Sequence, residues 1–520
     1  MFQTIPKPLL KKNFPVTTGL ICLLLIWSLT SLRHFVYFKD YGIIWEAAYR
    51  IYLGQTPFID FSTPVGPGSF LIPALFFKIF GPTWHSLQLS QLFQSSILLL
   101  CGYYILKKTG VKERALSISI IFFTLLYLIF LSHPWYNSTA TLFFFISLSI
   151  ILTQTRCSFF VAGIFSGFSF LTKQDVGIVN LFAICIISIL MYQDIKKISY
   201  RLLNIIIFLF GMLFVISSFA NFIGLPRFSE WLLMSLKLSL QRGNGLEDLF
   251  KGMPLLILGL ICLRHFFEDK KKLLLYASIL YIAAFISVQT KALFFTNFFY
   301  TLFSFPIVAY FIHTRNKLIS VSVTILISLS LFSPLVSLIN LATTLSIDMP
   351  EPYSFKHDMV TKNVIKAPPN FKIINNMWAP PDTFKAIKEI HQIFKEKYKE
   401  SGYPPSILNL SEITPIYGEL GVSPPKNLPL WFDPKLTISD TEANLIKKQI
   451  KESRFDIIIF QSTFGGFEAG FYEPIFDLLT NNKDYKKLSE DGYFSPSSSL
   501  SSCKNKKECK NHNFFVFLKN

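Results

Sequence analysis

Eleven apolar stretches follow one another through the first 344 residues, and that pattern removes most folds from consideration. The first lies in "VTTGLICLLLIWSLTSL"; the others cover about 85–106, 115–132, 138–154, 158–172, 176–192, 202–222, 251–267, 273–289, 294–312 and 318–341. A membrane helix needs about 20 predominantly apolar residues, and lipid allows only helices or closed barrels to span it. The chain is 51% hydrophobic and 16% charged with a mean hydropathy of +0.44, which excludes a soluble protein of 520 residues. The net charge of +18 is dispersed between the apolar stretches, so it argues for topology-setting charge and against nucleic-acid binding. The first stretch resembles a signal peptide but lacks a small-x-small cleavage site, and it reads as an uncleaved first helix.

Charge assigns the sides. One set of connections reads "KPLLKK", "KKTGVKER", "TR", "DIKKISYR", "RHFFEDKKK" and "HTRNK". These are short and dense in Lys and Arg, the mark of cytoplasmic loops. The other set holds "HPWYNST", "TKQD", "QTKALFFTN" and two long loops at 33–84 and 223–250. The two sets stay separate only if 66–80 lies on the membrane surface. The expectation is therefore an all-α polytopic membrane domain of about eleven transmembrane helices over 1–344, N-terminus in the cytoplasm, with a C-terminal soluble α/β domain over 345–520 outside.

The first long loop holds "DYGIIWEAAYRIYLGQTPFIDFSTPVGPGSFLIPALFFKIFG". Residues 41–53 put Ile44, Ala47, Ala48 and Ile51 at helical spacing, with Trp45, Tyr49 and Tyr52 as interface-seeking aromatics. "TPFIDFSTPVGPG" is broken by Pro and Gly, and "SFLIPALFFKIFG" lies down again and ends at Gly81. In the tail, "SDTEANLIKKQIKES" reads as a helix with a capping box from Ser439 to Glu442, and "PSILNLSE", "FDIIIFQS" and "FFVFLKN" read as strands. Cys503 and Cys509, in "SSCKNKKECKN", could close a disulfide loop on the oxidising side.

The acids and bases gather at the outer ends of the spans. Asp40 sits just past the first helix, either as an N-cap or as a base that activates an acceptor hydroxyl at the membrane surface. Asp60 could assist it or help bind a divalent metal. Lys173 and Asp175, in "FLTKQDVG", form a polar knot with Gln174; Lys291 is similarly placed. Both lysines read equally as snorkelling anchors. Arg227 and Arg242 belong to the 223–250 loop, as surface charges or as part of a flap over a lipid that Gly243 and Gly245 would hinge. His133 and Asn137 flank the belt aromatics Trp135 and Tyr136 and could contact sugar.

The order D-Y-G, A-x-R, G-x-x-P-x-x-D-F, G-P and P-A-L-F-F-K-I-F-G across Asp40–Gly81 resembles the first outer loop of GT-C-type membrane glycosyltransferases. That group includes lipid A aminoarabinose transferases, protein O-mannosyltransferases and bacterial relatives that extend surface glycans. The resemblance implies a catalytic base at Asp40, a polyprenyl-phosphate-linked sugar as donor, and inversion at the anomeric carbon. It implies a lipid, glycan or protein as acceptor, and a bacterial inner membrane as the location. Two features depart from the pattern: Asp-Tyr stands for the frequent Asp-Glu, and "STPVGPGSF" stands where the aminoarabinose transferases carry a Lys-Pro-Pro motif. The competing classes are a transporter or lipid flippase, and a polysaccharide polymerase or ligase. Transporters place ionisable residues within their spans, whereas these spans are almost free of charge.

Overall fold

The computed structural model describes residues 18–20, 22–24, 40–129, 134–191, 198–241, 246–289, 300–312, 317–346, 365–375, 378–379, 381–411, 413–430, 432, 438, 440–461, 469–489, 493–494 and 513–520. Two short helices come first, α1 (Asp40–Tyr52) and α2 (Gly68–Phe80). Helices then occupy every apolar stretch expected from residue 85 onward: α3 (Trp84–Lys108), α4 (Glu113–Ile129), α5 (Tyr136–Ile151), α6 (Arg156–Thr172), α7 (Gln174–Met191) and α8 (Ile198–Ile223). After α9 (Leu225–Gln241) follow α10 (Leu246–Asp269), α11 (Lys272–Gln289), α12 (Thr301–Ile312) and α13 (Lys317–Ser346). Among the described residues, Trp84–Lys108 and Ser199–Ile223 are long and apolar enough to cross a membrane; the others are shorter apolar helices or carry more charge. Their core runs through Phe144, Leu148, Ile184, Leu274, Leu280 and Phe303.

The segment 223–250, expected as a loop, is largely helix. α9 pins itself by Trp231, which is 1% exposed. The Trp231 ring lies 5.6 Å from that of Phe58, 6.1 Å from Phe219 and 5.5 Å from Phe228. Gly243 and Gly245, the suggested hinge, lie outside the described residues.

A helix, α2, stands where one lying on the surface was expected. Its 13 residues extend about 20 Å, short of the roughly 30 Å hydrocarbon core. Phe70, Ala74 and Phe77 are buried, while Leu71, Leu75 and Ile79 form an exposed apolar line at four-residue spacing. α1 departs from it. Residues 42–50 are all buried, on every side of the helix. The tail covers the face that was expected to meet lipid, and Glu46 and Arg50 within the buried stretch neutralise each other.

The tail is built on one sheet. β1 (Phe61–Ser62) belongs to the first outer loop, and β2 (Ile365–Lys366) pairs with β3 (Trp378–Ala379) as a small antiparallel ribbon. The main sheet runs β4 (Ile407–Leu410), β6 (Ile457–Gln461), β9 (Asn513–Lys519), β7 (Tyr485–Lys487), with β8 (Tyr493–Phe494) also on β9. β4 and β6 are parallel, with Ile407 opposite Ile457; β9 is antiparallel, with Val516 opposite Ile459. The run "IIIF" is apolar throughout because both faces are covered. Ile457 and Ile459 face a cluster that also holds Ile44, Trp45, Phe70 and Phe77 of the first outer loop. Ile458 and Phe460 face Ile446 and Ile450 of α16 (Asp440–Lys451) and Ile475 of α17 (Ala469–Asn481). The remaining helices are α14 (Pro381–Ser401) and α15 (Ile416–Leu420). The tail and the first outer loop therefore share one hydrophobic core.

Ser439 of the expected capping box lies outside the described residues, as do Cys503 and Cys509. Glu442 accepts a hydrogen bond from Ser62 Oγ at 2.6 Å, another tie between tail and loop.

Candidate active site

Two helices meet at a single residue. α6 stops at Thr172 and α7 starts at Gln174, which leaves Lys173 extended between them at φ −153° and ψ 117°. The Lys173 N–H donates to Ser169 O at 2.8 Å, so its backbone is fixed to the end of α6. Its Nζ lies 3.0 Å from Asp175 Oδ2 and 6.0 Å from the centre of the Tyr136 ring. The other Asp175 oxygen accepts the Val176 N–H at 2.7 Å. The pair is partly buried, with Lys173 13% and Asp175 20% exposed. The α7 N-terminus adds the positive end of a helix dipole at the same spot.

The first outer loop arrives here. A Cβ on Gly66 would sit 1.9 Å from Leu171 O, so no other residue permits this approach. Pro64 O accepts from Ser235 Oγ at 2.6 Å, and Ser235 Oγ accepts from Gln174 Nε2 at 3.1 Å. Segments from the first outer loop, from α5, from the α6–α7 junction and from α9 thus converge at one end of the bundle. Charge had placed all four on one side.

Other candidates stand elsewhere. Asp60 accepts the Thr56 N–H at 2.8 Å and an ion pair from Lys426 Nζ at 3.0 Å. The Thr56 N–H, then Lys426, hold its carboxyl below the usual carboxylate range. A lysine ammonium thus stands where a divalent cation would bind, and Asp60 does not fit a metal ligand. Among the described residues no three His, Cys, Asp or Glu converge as a metal site would require. Asn137 is fully buried in the first turn of α5. Arg227 is exposed at the start of α9, about 12 Å along the helix from Ser235. Asp40 is the first residue of α1, and its side chain lies outside what the structure describes. His133, Arg242 and Lys291 lie outside the described residues.

The most enclosed ionic contact escaped the sequence reading. Arg50 Nη2 and Nε approach Glu46 Oε1 at 2.7 and 2.9 Å, with side chains 2% and 4% exposed. Burial pushes the Glu46 carboxyl up, against the pull of Arg50. The signal was present as a Glu-to-Arg spacing of four inside "WEAAYR".

No protein-family model matches the sequence, and no curated protein matches it. Among solved structures, the archaeal oligosaccharyltransferase AglB from Archaeoglobus fulgidus, in complex with an inhibitory peptide and a dolichol-phosphate, aligns with a TM-score of 0.51. The alignment covers 95% of this chain and 75% of that one at 12% identity. The chain has a GT-C fold. A second oligosaccharyltransferase structure from the same organism, tethered to an acceptor peptide with an NVT sequon, aligns over 88% and 70% at 11% identity and a TM-score of 0.49. The AglB alignment at a TM-score of 0.51 takes in nearly the whole chain, so the apolar helices, the first outer loop and the tail all fall within the shared fold.

Proposed function

We propose that this GT-C protein is a membrane glycosyltransferase that moves a sugar from a polyprenyl-phosphate-linked donor to a lipid, glycan or protein acceptor. The observation that carries the reading is the likeness to AglB, a structure solved with a dolichol-phosphate, over 95% of this chain. The proposed setting is a bacterial inner membrane, crossed about eleven times, with the reaction at the outer face.

The chemistry follows from charge. Asp40 is the base: it takes the proton from the acceptor hydroxyl as the oxygen attacks the anomeric carbon. In-line displacement breaks the bond to the polyprenyl phosphate and inverts the anomeric configuration. The departing phosphate gains negative charge, and Lys173 supplies the opposing cation. Asp175 and the Tyr136 ring hold the ammonium in place beforehand, so little reorganisation is needed during the reaction. Pro64, Gly66 and Ser235 fix the wall of this rim.

The test is transfer from radiolabelled polyprenyl-phosphate sugars in membranes carrying wild type or Lys173→Met. The wild type transfers label, and Lys173→Met at equal abundance loses about 10²–10³-fold in kcat. Equal rates would remove Lys173 from the mechanism. A wild type that transfers nothing from any donor would put transport or flipping ahead.

A further inference from the structure

We propose that residues 421–430 of the tail form a strap that positions the helix starting at Asp40, with Arg50 as the positioning residue at its junction. The catalytic half of this proposal rests on the glycosyltransferase reading; the structural half does not.

The strap offers α1 a ledge of acceptors. Tyr49 Oη donates to Val422 O at 3.3 Å, Gln55 Nε2 to Pro424 O at 2.7 Å, and Arg50 Nη1 to Pro425 O at 3.0 Å. Two successive prolines present the last two of these carbonyls: their φ is locked and they carry no N–H to compete. The strap then turns to the loop after α1. Lys426 pairs with Asp60, and Asn427 N–H donates to Asp60 O at 2.6 Å. β5 (Leu428–Pro429) lies parallel to β1, with Phe61 opposite Leu428, and Leu430 N–H donates to Ser62 O at 2.8 Å. Two residues beyond Ser62, the chain reaches Pro64 and the rim at Lys173.

One strap thus ties the helix that carries the proposed base to the loop that walls the proposed phosphate cation. Arg50 is where the ties meet. Its guanidinium touches Glu46 on α1 and Pro425 on the strap, and lies 5.2 Å over the ring of Phe61 in β1. Lysine is a point charge and cannot hold all three partners in one plane. The middle of α15 braces the same helix: a Cβ on Gly418 would lie 2.3 Å from Trp45 Cη2. Among the described residues, these contacts join Trp45, Tyr49 and Arg50 of α1, and Gln55 just beyond it, to the tail. A domain that served only to capture acceptor would have no need of them.

Full-length protein in lipid nanodiscs decides this by hydrogen–deuterium exchange and by sugar transfer. The variants are Arg50→Lys and a strap double variant, Pro424→Gly with Pro425→Gly, which leaves the buried charges in place. Amides of 41–52 exchange at least about tenfold faster in both variants, while those of 137–151 do not change. The acid midpoint of kcat against pH moves by roughly half a unit or more, because the base sits in an altered environment. A smaller folded fraction would lower the plateau without moving that midpoint. Unchanged exchange at 41–52 in both variants overturns the strap. Faster exchange with an unmoved midpoint overturns the positioning role of Arg50. A wild type silent with every donor sinks the glycosyltransferase reading and that role with it, and exchange alone then decides the strap.

Discussion

Arg50→Met opens the most enclosed charge pair among the described residues, and its cost can be worked from the contacts. The guanidinium gives both Nε and Nη2 to one Glu46 oxygen at 2.9 and 2.7 Å. Both side chains are nearly inaccessible, so the variant leaves the Glu46 carboxyl buried without its cation. Breaking a buried pair from one side costs about 3–5 kcal/mol. Spread over a folding unit of a few hundred residues, that is a drop of roughly 10 °C in melting temperature. The pH dependence has a definite sign. Burial already raises Glu46 above its usual value of 4.5, and losing Arg50 raises it further. The folded state then holds a proton that the unfolded state has released, so stability falls as pH rises from the unfolded toward the folded value. The loss is therefore largest at pH 8 and shrinks toward pH 5. Glu46→Gln combined with Arg50→Met removes the orphaned charge and regains most of the loss. Thermal scans of purified protein in detergent at the two pH values measure the wild type and both variants. A drop of under about 2 °C for Arg50→Met, or a double variant no better than the single, would refute the reasoning.

Three further outcomes follow from the same contacts. Gly66→Ala places a Cβ 1.9 Å from a backbone oxygen, so the loop retreats from α6 at a cost of about 1–3 kcal/mol, seen as a lower melting temperature and slower transfer; an unchanged melting temperature contradicts the close approach. Asp60 has a depressed carboxyl, so its contribution is present above its ordinary value of 3.8 and is lost as pH falls below it. Asp60→Asn therefore flattens the acid limb of melting temperature against pH while changing neutral stability by only about 0–1 kcal/mol, because Lys426 is largely exposed. Trp231→Ala empties the centre of an aromatic cluster and costs about 3–5 kcal/mol, read as faster exchange across 225–241; protection there equal to wild type would show that the cluster does not hold α9.

Much of the fold was legible because its signals are local. Helix lengths came from hydrophobic runs, the end of α2 from Gly81, and the three central tail strands from "ILNL", "IIIF" and "FFVFL". The charge of short loops brought Tyr136, Lys173, Pro64 and Ser235 to one side, and the structure brings them to one place. The partnership between tail and first loop was not legible. Its bonds are made by backbone carbonyls at Val422, Pro424 and Pro425, some 370 residues away from their donors. No periodicity carries that information. α1 looked interfacial because its aromatics and alanines suit a membrane surface as well as a protein core, and only its buried pair, Glu46 with Arg50, distinguishes the two. α9 lies in a segment expected as loop; Gly224 and Pro226 stand at its start, where they mark a helix boundary.

The most direct test of the central claim is transfer of labelled sugar from polyprenyl-phosphate donors by wild type and Asp40→Asn in equal amounts. Asparagine keeps the size of the side chain and its capping ability but cannot accept the proton. The account predicts transfer by the wild type and a loss of about 10²–10⁴-fold in the variant. Equal transfer by both would contradict it, because Asp40 would then be a helix cap and the base would have to be sought elsewhere.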